Sequence, residues 1–329
     1  MRFLLDDEQR EFARTLDALL SASDTPRAAR AWAAGDHAPG LALWSRLAEA
    51  GVFALAVPEA YEGLGPLPVE LAVAFTELGR HAVPGPLVET VAAAALLHRL
   101  DDDGAASAWL PRVAAGKATV SLGVLTLTGP YALDADVADA VLVVEDDTLR
   151  LADSAGPVQP SADPARRLAR PLGGTVLARG PAVAAATAYA AEVAALATAA
   201  QSLGLGRALL DRTVAYVGQR TQFGVPVGSF QAVKHRLADT LIALEFARPL
   251  LYAAALALAE HGTAPREIAA AKVTAGEAAH AAARTALQLH GAVGYTEELD
   301  LSLWIRKARP LRDAWGTPAV CRARVLASL

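Results

Sequence analysis

The sequence predicts a mainly α-helical protein in three parts: an N-terminal α-helical domain, a short central β-domain and a C-terminal four-helix bundle. Three observations predict it. Apolar residues recur at three- and four-residue spacing up to about residue 116 and again from about residue 181. Between them the pattern changes to short apolar runs separated by Asp, Gly and Pro. The 329 residues, 53% hydrophobic and 20% charged, describe a packed chain long enough for two or three domains. The expected boundaries are 1–117, 118–178 and 179–329.

In the first part Phe12, Leu16, Leu19 and Leu20 mark one helical face, and Leu43, Leu47 and Val52 continue the pattern after a Gly/Pro-containing break. Val57-Pro58-Glu59-Ala60-Tyr61-Glu62-Gly63-Leu64-Gly65 is a turn cluster, and Glu77-Leu78-Gly79-Arg80 ends the helix that follows. Thr119 to Thr126 and Ala140 to Val144 read as strands of the second part. In the third, Leu196, Leu203, Leu210 and Val217 stand seven apart, and Val233, Leu237, Leu241, Leu244 and Leu251 follow at three-, four- or seven-residue steps. Ile268, Ala271, Ala275, Ala279, Ala282 and Ala286 form another stripe, and so many small stripe residues imply closely packed helices.

Bulk properties narrow the functions. A net charge of -5 offers no overall basic surface for nucleic acid or anionic lipid, so small molecules or proteins are the expected partners. The single Cys321 excludes an intramolecular disulfide and a multi-cysteine metal site, and the seven histidines show no ligand spacing, so no metal is expected. The start Met1-Arg2-Phe3-Leu4-Leu5-Asp6-Asp7 has no secretory layout, which makes the cytoplasm the expected location. Val91 to Leu97 and Val183 to Leu205 are interrupted by polar residues and are expected to fall short of a transmembrane span.

Three blocks carry chemistry. In the first, Arg220-Thr221-Gln222-Phe223-Gly224 leads through Pro226, Gly228 and Ser229 to Gln231 and then Leu237-Ala238-Asp239. Ser229 is the expected N-cap of the next helix, whose free N–H groups beside an arginine suit a pyrophosphate. Taken by itself the block is a capped interhelix turn with an arginine salt bridge. In the second, Gln288-Leu289-His290-Gly291-Ala292-Val293-Gly294, the glycines permit close approach of a dinucleotide and Gln288 can hydrogen-bond it; the plain alternative is a glycine-rich helix stop. His235 and His290 lie in these blocks as packing or hydrogen-bonding residues. The third runs from Gly294-Tyr295-Thr296-Glu297-Glu298 through Arg306 and Ala308 to Trp315-Gly316-Thr317.

Together with Trp44, Gly51, Pro58-Glu59, Gly63-Leu64-Gly65 and Glu77-Leu78-Gly79, these blocks resemble the acyl-CoA dehydrogenase family over nearly the whole chain. The resemblance implies that Arg220, Gln222, Phe223, Gln288, Gly291 and Ala292 contact FAD, the first three mainly FAD of a neighbouring subunit, while Gln231 and Asp239 serve the helix interface. Ala292 stands where the family has a second glycine. Trp315 stands where the family has its catalytic glutamate, and Ala194 where some members place the base instead. Indole cannot take a proton from carbon. Glu192, two residues from Ala194, points about 200° round the helix. Of the other carboxylates, Glu245 is expected to be a solvated helix charge and Asp313 a partner of Arg312. The central domain is about half the family's usual length and lacks its Thr-Glu-Pro and Trp-Ile-Thr/Ser segments; Thr126-Leu127-Thr128-Gly129-Pro130 is the nearest feature.

Three readings follow from the resemblance. The chain is the short, base-lacking subunit of an α2β2 acyl-CoA dehydrogenase, completing the FAD site of a full-length partner in a hetero-oligomer. Or it is a self-sufficient FAD-dependent thioester dehydrogenase with a relocated base, as a homo-oligomer. Or it is a flavin-free binding or structural derivative, with Trp315 filling the old active site. The resemblance also names an acyl-CoA thioester and an electron-transfer flavoprotein as partners, and the heteromeric shape points to bulky acyl groups such as steroid fragments in lipid or steroid catabolism.

Overall fold

The computed structural model describes residues 4–100 and 103–328, so the part of the leader reading that rests on residues 1–3 lies outside the described residues. Six helices form the first part: α1 (Asp7–Ser21), α2 (Thr25–Ala33), α3 (Ala38–Glu49), α4 (Pro68–Arg80), α5 (Leu87–Arg99) and α6 (Asp103–Ala114). Asp6 starts α1 with a capping box, its side chain accepting from the Gln9 N–H while Gln9 reaches back to the Asp6 N–H. The turn cluster forms as expected, two 3₁₀ turns at Ala54–Ala56 and Glu59–Tyr61, and α4 ends at Arg80.

The central region holds β1 (Val120–Val124), α7 (Leu125–Thr128), β2 (Ala132–Leu133), β3 (Ala140–Glu145), β4 (Thr148–Leu151), β5 (Ser154–Ala155), β6 (Leu168–Ala169), β7 (Pro171–Leu172) and β8 (Thr175–Arg179). One four-stranded sheet runs β1-β3-β4-β8, with β1 parallel to β3, and β2 pairs β6 and β5 pairs β7 beside it. The strand expected over Thr119 to Thr126 is shorter: Thr128 donates to the Val124 carbonyl and accepts from the Val124 N–H, turning the chain into α7.

Four helices follow, α8 (Pro181–Gln219), α9 (Gln231–His261), α10 (Pro265–His290) and α11 (Leu301–Asp313), and then α12 (Pro318–Ala327). Between α8 and α9 lies the hairpin of β9 (Thr221–Gln222) and β10 (Val225–Pro226). Glu192 of α8 caps the start of α10, and Tyr216 near the end of α8 stacks on His290 at the end of α10, so these helices run parallel. Thr240 of α9 meets Thr285 of α10, and the end of α11 meets Lys272 near the start of α10, which makes α9 and α11 antiparallel to them. The result is an up-down-up-down bundle.

Helix α8 packs on α4 and α5 as well as on α9 and α10, and is therefore buried on nearly every side in its middle. Small residues make this possible: a Cβ at Gly79 of α4 would strike the Gln201 carbonyl, and one at Gly204 of α8 would strike the Thr76 carbonyl, so the two backbones touch. The expectation of no membrane-length helix is corrected, since α8 and α9 are both long and apolar enough by length and composition. Alanine carries their hydropathy through the polar interruptions. In α8 that window is 67% buried inside the protein, in α9 33%. Helix α9 is less enclosed than its stripe suggested: Leu241 is 38% exposed and Phe246 71%.

Candidate functional site: a small cavity and an open rim

Trp315 sits in the bend between α11 and α12. The turn is demanding, with φ 53° at Trp315 and 133° at Gly316, the second a conformation L side chains avoid. Lys272 holds it. Its buried ammonium donates to the carbonyls of Leu311, Arg312 and Gly316 at 3.1, 2.9 and 3.3 Å, capping the end of α11. Burial lowers the Lys272 pKa to about 8. Thr317 then accepts from the Val320 N–H and starts α12.

The Trp315 indole is only 4% exposed, and its Nε1–H donates to Oε1 of Glu89 at 3.1 Å. Glu89, in the first turn of α5, is itself buried; desolvation raises its pKa, opposed by the nearby charge of Arg166, by its own backbone N–H and by the indole. What remains between Glu89, Trp315, Thr198, Gln201, Arg166 and Lys307 is a cavity of about 30 Å³. That is room for a water molecule or two, not for an acyl chain. Lys307 pairs with Asp163 at 2.7 Å on the cavity wall. A second buried acid lies close by: Asp134 accepts from Trp32 Nε1 at 2.9 Å, and burial pushes its pKa up to about 8.

Ala194 is fully buried in α8 and carries no group that titrates. Glu192 is taken: its carboxylate accepts from the Thr263 hydroxyl at 2.8 Å and the Ala264 N–H at 2.6 Å. Glu245 is half-buried and paired with Arg207 and Arg248 at 3.1 and 2.6 Å. Asp313 pairs with Arg309 at 3.1 Å rather than with Arg312, because residues three or four positions apart lie beside each other on a helix and adjacent ones do not.

The other two sequence blocks meet at the far end of the bundle, joined by Tyr216 and His290, whose rings stack at 4.1 Å. Arg220, Gln222, Gln288, Gly291 and Ala292 are all exposed there, and Phe223 is 93% exposed. The Arg220 guanidinium has no hydrogen-bond or ion-pair partner among the described residues, which removes the salt bridge of the plain reading. Ser229 is not the N-cap. It lies in a 3₁₀ turn and donates to the Pro226 carbonyl at 2.7 Å, while Phe230 precedes α9 with no side-chain cap. At the start of α9 Val233 and Lys234 donate to the Phe230 carbonyl, which leaves the N–H groups of Gln231 and Ala232 open, and a Cβ at Gly224 or Gly291 would meet nothing within 4 Å. These residues fit the pyrophosphate of a dinucleotide such as FAD.

Sequence reasoning missed Glu89, Arg166, Lys272 and Lys307. Glu89 had a signal, a lone acid inside the apolar run from Leu87 to Leu97. It missed a third grouping too: Asp17, Glu77 and His81, from α1, α4 and the residue after it, bring ligand-type atoms within 4.8 Å of one another. Arg80 stands 3.8 Å from Asp17 and 3.9 Å from Glu77, and His81 Nε2 lies 2.8 Å from Asp17.

Comparison with known proteins places the chain. Residues 6–117 match the family model "Acyl-CoA dehydrogenase, N-terminal domain" and residues 183–329 match "Acyl-CoA dehydrogenase, C-terminal domain". The chain is 36% identical over 308 residues to acyl-CoA dehydrogenase IpdE2 of Mycobacterium tuberculosis, covering 92% of this chain and 91% of that protein. It is 32% identical to IpdE2 of Mycolicibacterium smegmatis, over 94% and 96% of the two chains. Among solved structures, a variant of the Tcur3481-Tcur3483 steroid ACAD superposes with a TM-score of 0.82 at 25% identity, over 98% of this chain and 97% of that one.

Proposed function

The chain belongs to the acyl-CoA dehydrogenase family, and from that premise we propose that it is the base-lacking subunit of a heteromeric member, completing the flavin site of a base-bearing partner. One observation carries the reading: the two functional regions lie at opposite ends of α10. Lys272 and the Trp315 bend stand at one end and Gly291 at the other, roughly 30 Å apart at about 1.5 Å per residue. The rim therefore faces away from the chain's own position 315 and suits a cofactor whose reacting end lies over another chain.

FAD, which members of this family bind, supplies the hydride acceptor for α,β-dehydrogenation of an acyl thioester. Arg220 would neutralise pyrophosphate charge, the open first turn of α9 would donate N–H groups to it, and Gln222 and Gln288 would hydrogen-bond the rest of the nucleotide. Phe223 would cover it with an apolar face. Taking the α-proton falls to a carboxylate of the partner, because Trp315 and Ala194 offer none. The relative named as a steroid ACAD supports a bulky acyl-CoA as substrate, and its two-component name supports a heteromer.

A second reading, a self-sufficient dehydrogenase with a relocated base, has Glu89 on its side as a buried carboxyl beside position 315. The cavity of about 30 Å³ leaves no place for an acyl group next to it.

The test is the flavin content and native mass of the chain purified alone and after co-expression with a base-bearing relative. A flavin-poor chain alone and a tetramer with one FAD per pair of chains together are expected. One FAD on every chain of a homo-oligomer refutes the proposal.

A further inference from the structure

We infer that Trp315 is a tethered ligand: its indole plugs a cavity floored by Glu89, a cavity that when emptied takes a planar apolar molecule bearing one N–H donor. This deepens the reading above and rests on it for its biological sense, since a chain whose own cavity is filled leaves the thioester to its partner.

The plug has three parts. The ring is enclosed, 4% exposed, and belongs to the main hydrophobic core. Its one polar atom is matched by Glu89, which is fixed in the first turn of α5 and reaches the indole across the interface between the N-terminal helices and the α11–α12 bend. The bend is pinned by Lys272, which bonds carbonyls on both sides of Trp315, from Leu311 and Arg312 before it and Gly316 after it. A side chain whose flanking backbone is held by three hydrogen bonds, and whose tip is held by a fourth, is a plug, not a swinging lid. An ordinary packing tryptophan needs no carboxyl at its N–H. Trp44, equally buried at 3% exposed, has its Nε1 without a hydrogen-bond partner among the described residues, whereas Trp32 is matched by buried Asp134 as Trp315 is by Glu89. Leaving a buried acid at the cavity floor is costly unless a donor meets it, and the indole is the side-chain donor that does.

The probes are free indole and 1-benzothiophene, of nearly the same shape but without the N–H, added to the full chain carrying Trp315→Ala. Indole is expected to bind saturably, to raise the melting temperature, and to be preferred over 1-benzothiophene by about fivefold, the worth of one buried hydrogen bond. The double variant Trp315→Ala with Glu89→Leu is expected to lose the preference. A folded Trp315→Ala chain that binds neither ring, or binds both equally, overturns the inference. Should that variant not fold, exchange of the indole N–H protons decides in the intact chain and in Glu89→Leu. At least about tenfold faster exchange at Trp315 in the variant is expected, and equal rates overturn the inference. Neither flavin nor a partner enters these measurements, so their failure is separate from failure of the subunit reading.

Discussion

The two ends of the bundle differ in every respect that decides function. At one, Trp315 is 4% exposed, hydrogen-bonded and clamped; at the other, Phe223 is 93% exposed and Arg220 has no partner among the described residues. The first is built as a protein core and the second as a surface waiting for something. Position 315 is thus not an empty space: an indole fills it, its N–H is matched by Glu89 and the bend that carries it is pinned by Lys272. The groups at the other end face outward and stay open.

Breaking the closed end should have the largest effect. Trp315→Ala is expected to destabilise the isolated chain by about 3–5 kcal/mol in urea unfolding, while Phe223→Ala changes it by no more than about 0.5 kcal/mol. Comparable losses would erase the distinction between the ends. Next is the clamp. Lys272→Met leaves buried carbonyls without their donor and should cost about 2 kcal/mol, with faster amide exchange confined to the α11–α12 bend.

A pH series sharpens the comparison further, because the buried acids cluster near the closed end. Asp134 keeps its proton up to about pH 8 when folded and releases it near its ordinary 3.8 when unfolded. The folded state therefore holds the extra proton between those values. The stability this group contributes is complete below about pH 4 and is lost as the pH rises through about 8. The urea midpoint should fall from pH 5 to pH 8, and fall less in Asp134→Asn, which still accepts from Trp32. A steeper fall in the variant would reverse the assignment. The smallest effect belongs to the open end: Arg220→Ala should leave the isolated chain's stability within about 0.5 kcal/mol at any pH.

How much of this could be read from the sequence follows the same division. Periodicity located the helices, and the stripe from Ile268 to Ala286 is buried throughout, because a face that packs must be apolar at helical spacing. The rim was legible because its residues lie in short contiguous blocks. The plug was not. Glu89 and Trp315 stand 226 positions apart and meet only through the fold. Lys272 lay unmarked in an alanine stripe, since spacing cannot say that a lysine points inward at the end of another helix. Ser229 failed as a cap because the chain spends it on a 3₁₀ turn before α9 begins. Leu241 kept the spacing of a core residue but lies on an exposed apolar flank of α9, where pattern alone cannot tell an intramolecular partner from an intermolecular one.

The central claim is that this chain's rim serves a flavin reacting over another chain while its own cavity stays closed. It is tested most directly by FAD bound per pair of chains in the complex with a base-bearing partner, comparing the wild type with Arg220→Ala and Trp315→Phe in this chain alone. One FAD per pair, lost or at least about tenfold more weakly held with Arg220→Ala and unchanged with Trp315→Phe, is the predicted result. Full flavin retention with Arg220→Ala, or loss with Trp315→Phe, would contradict it.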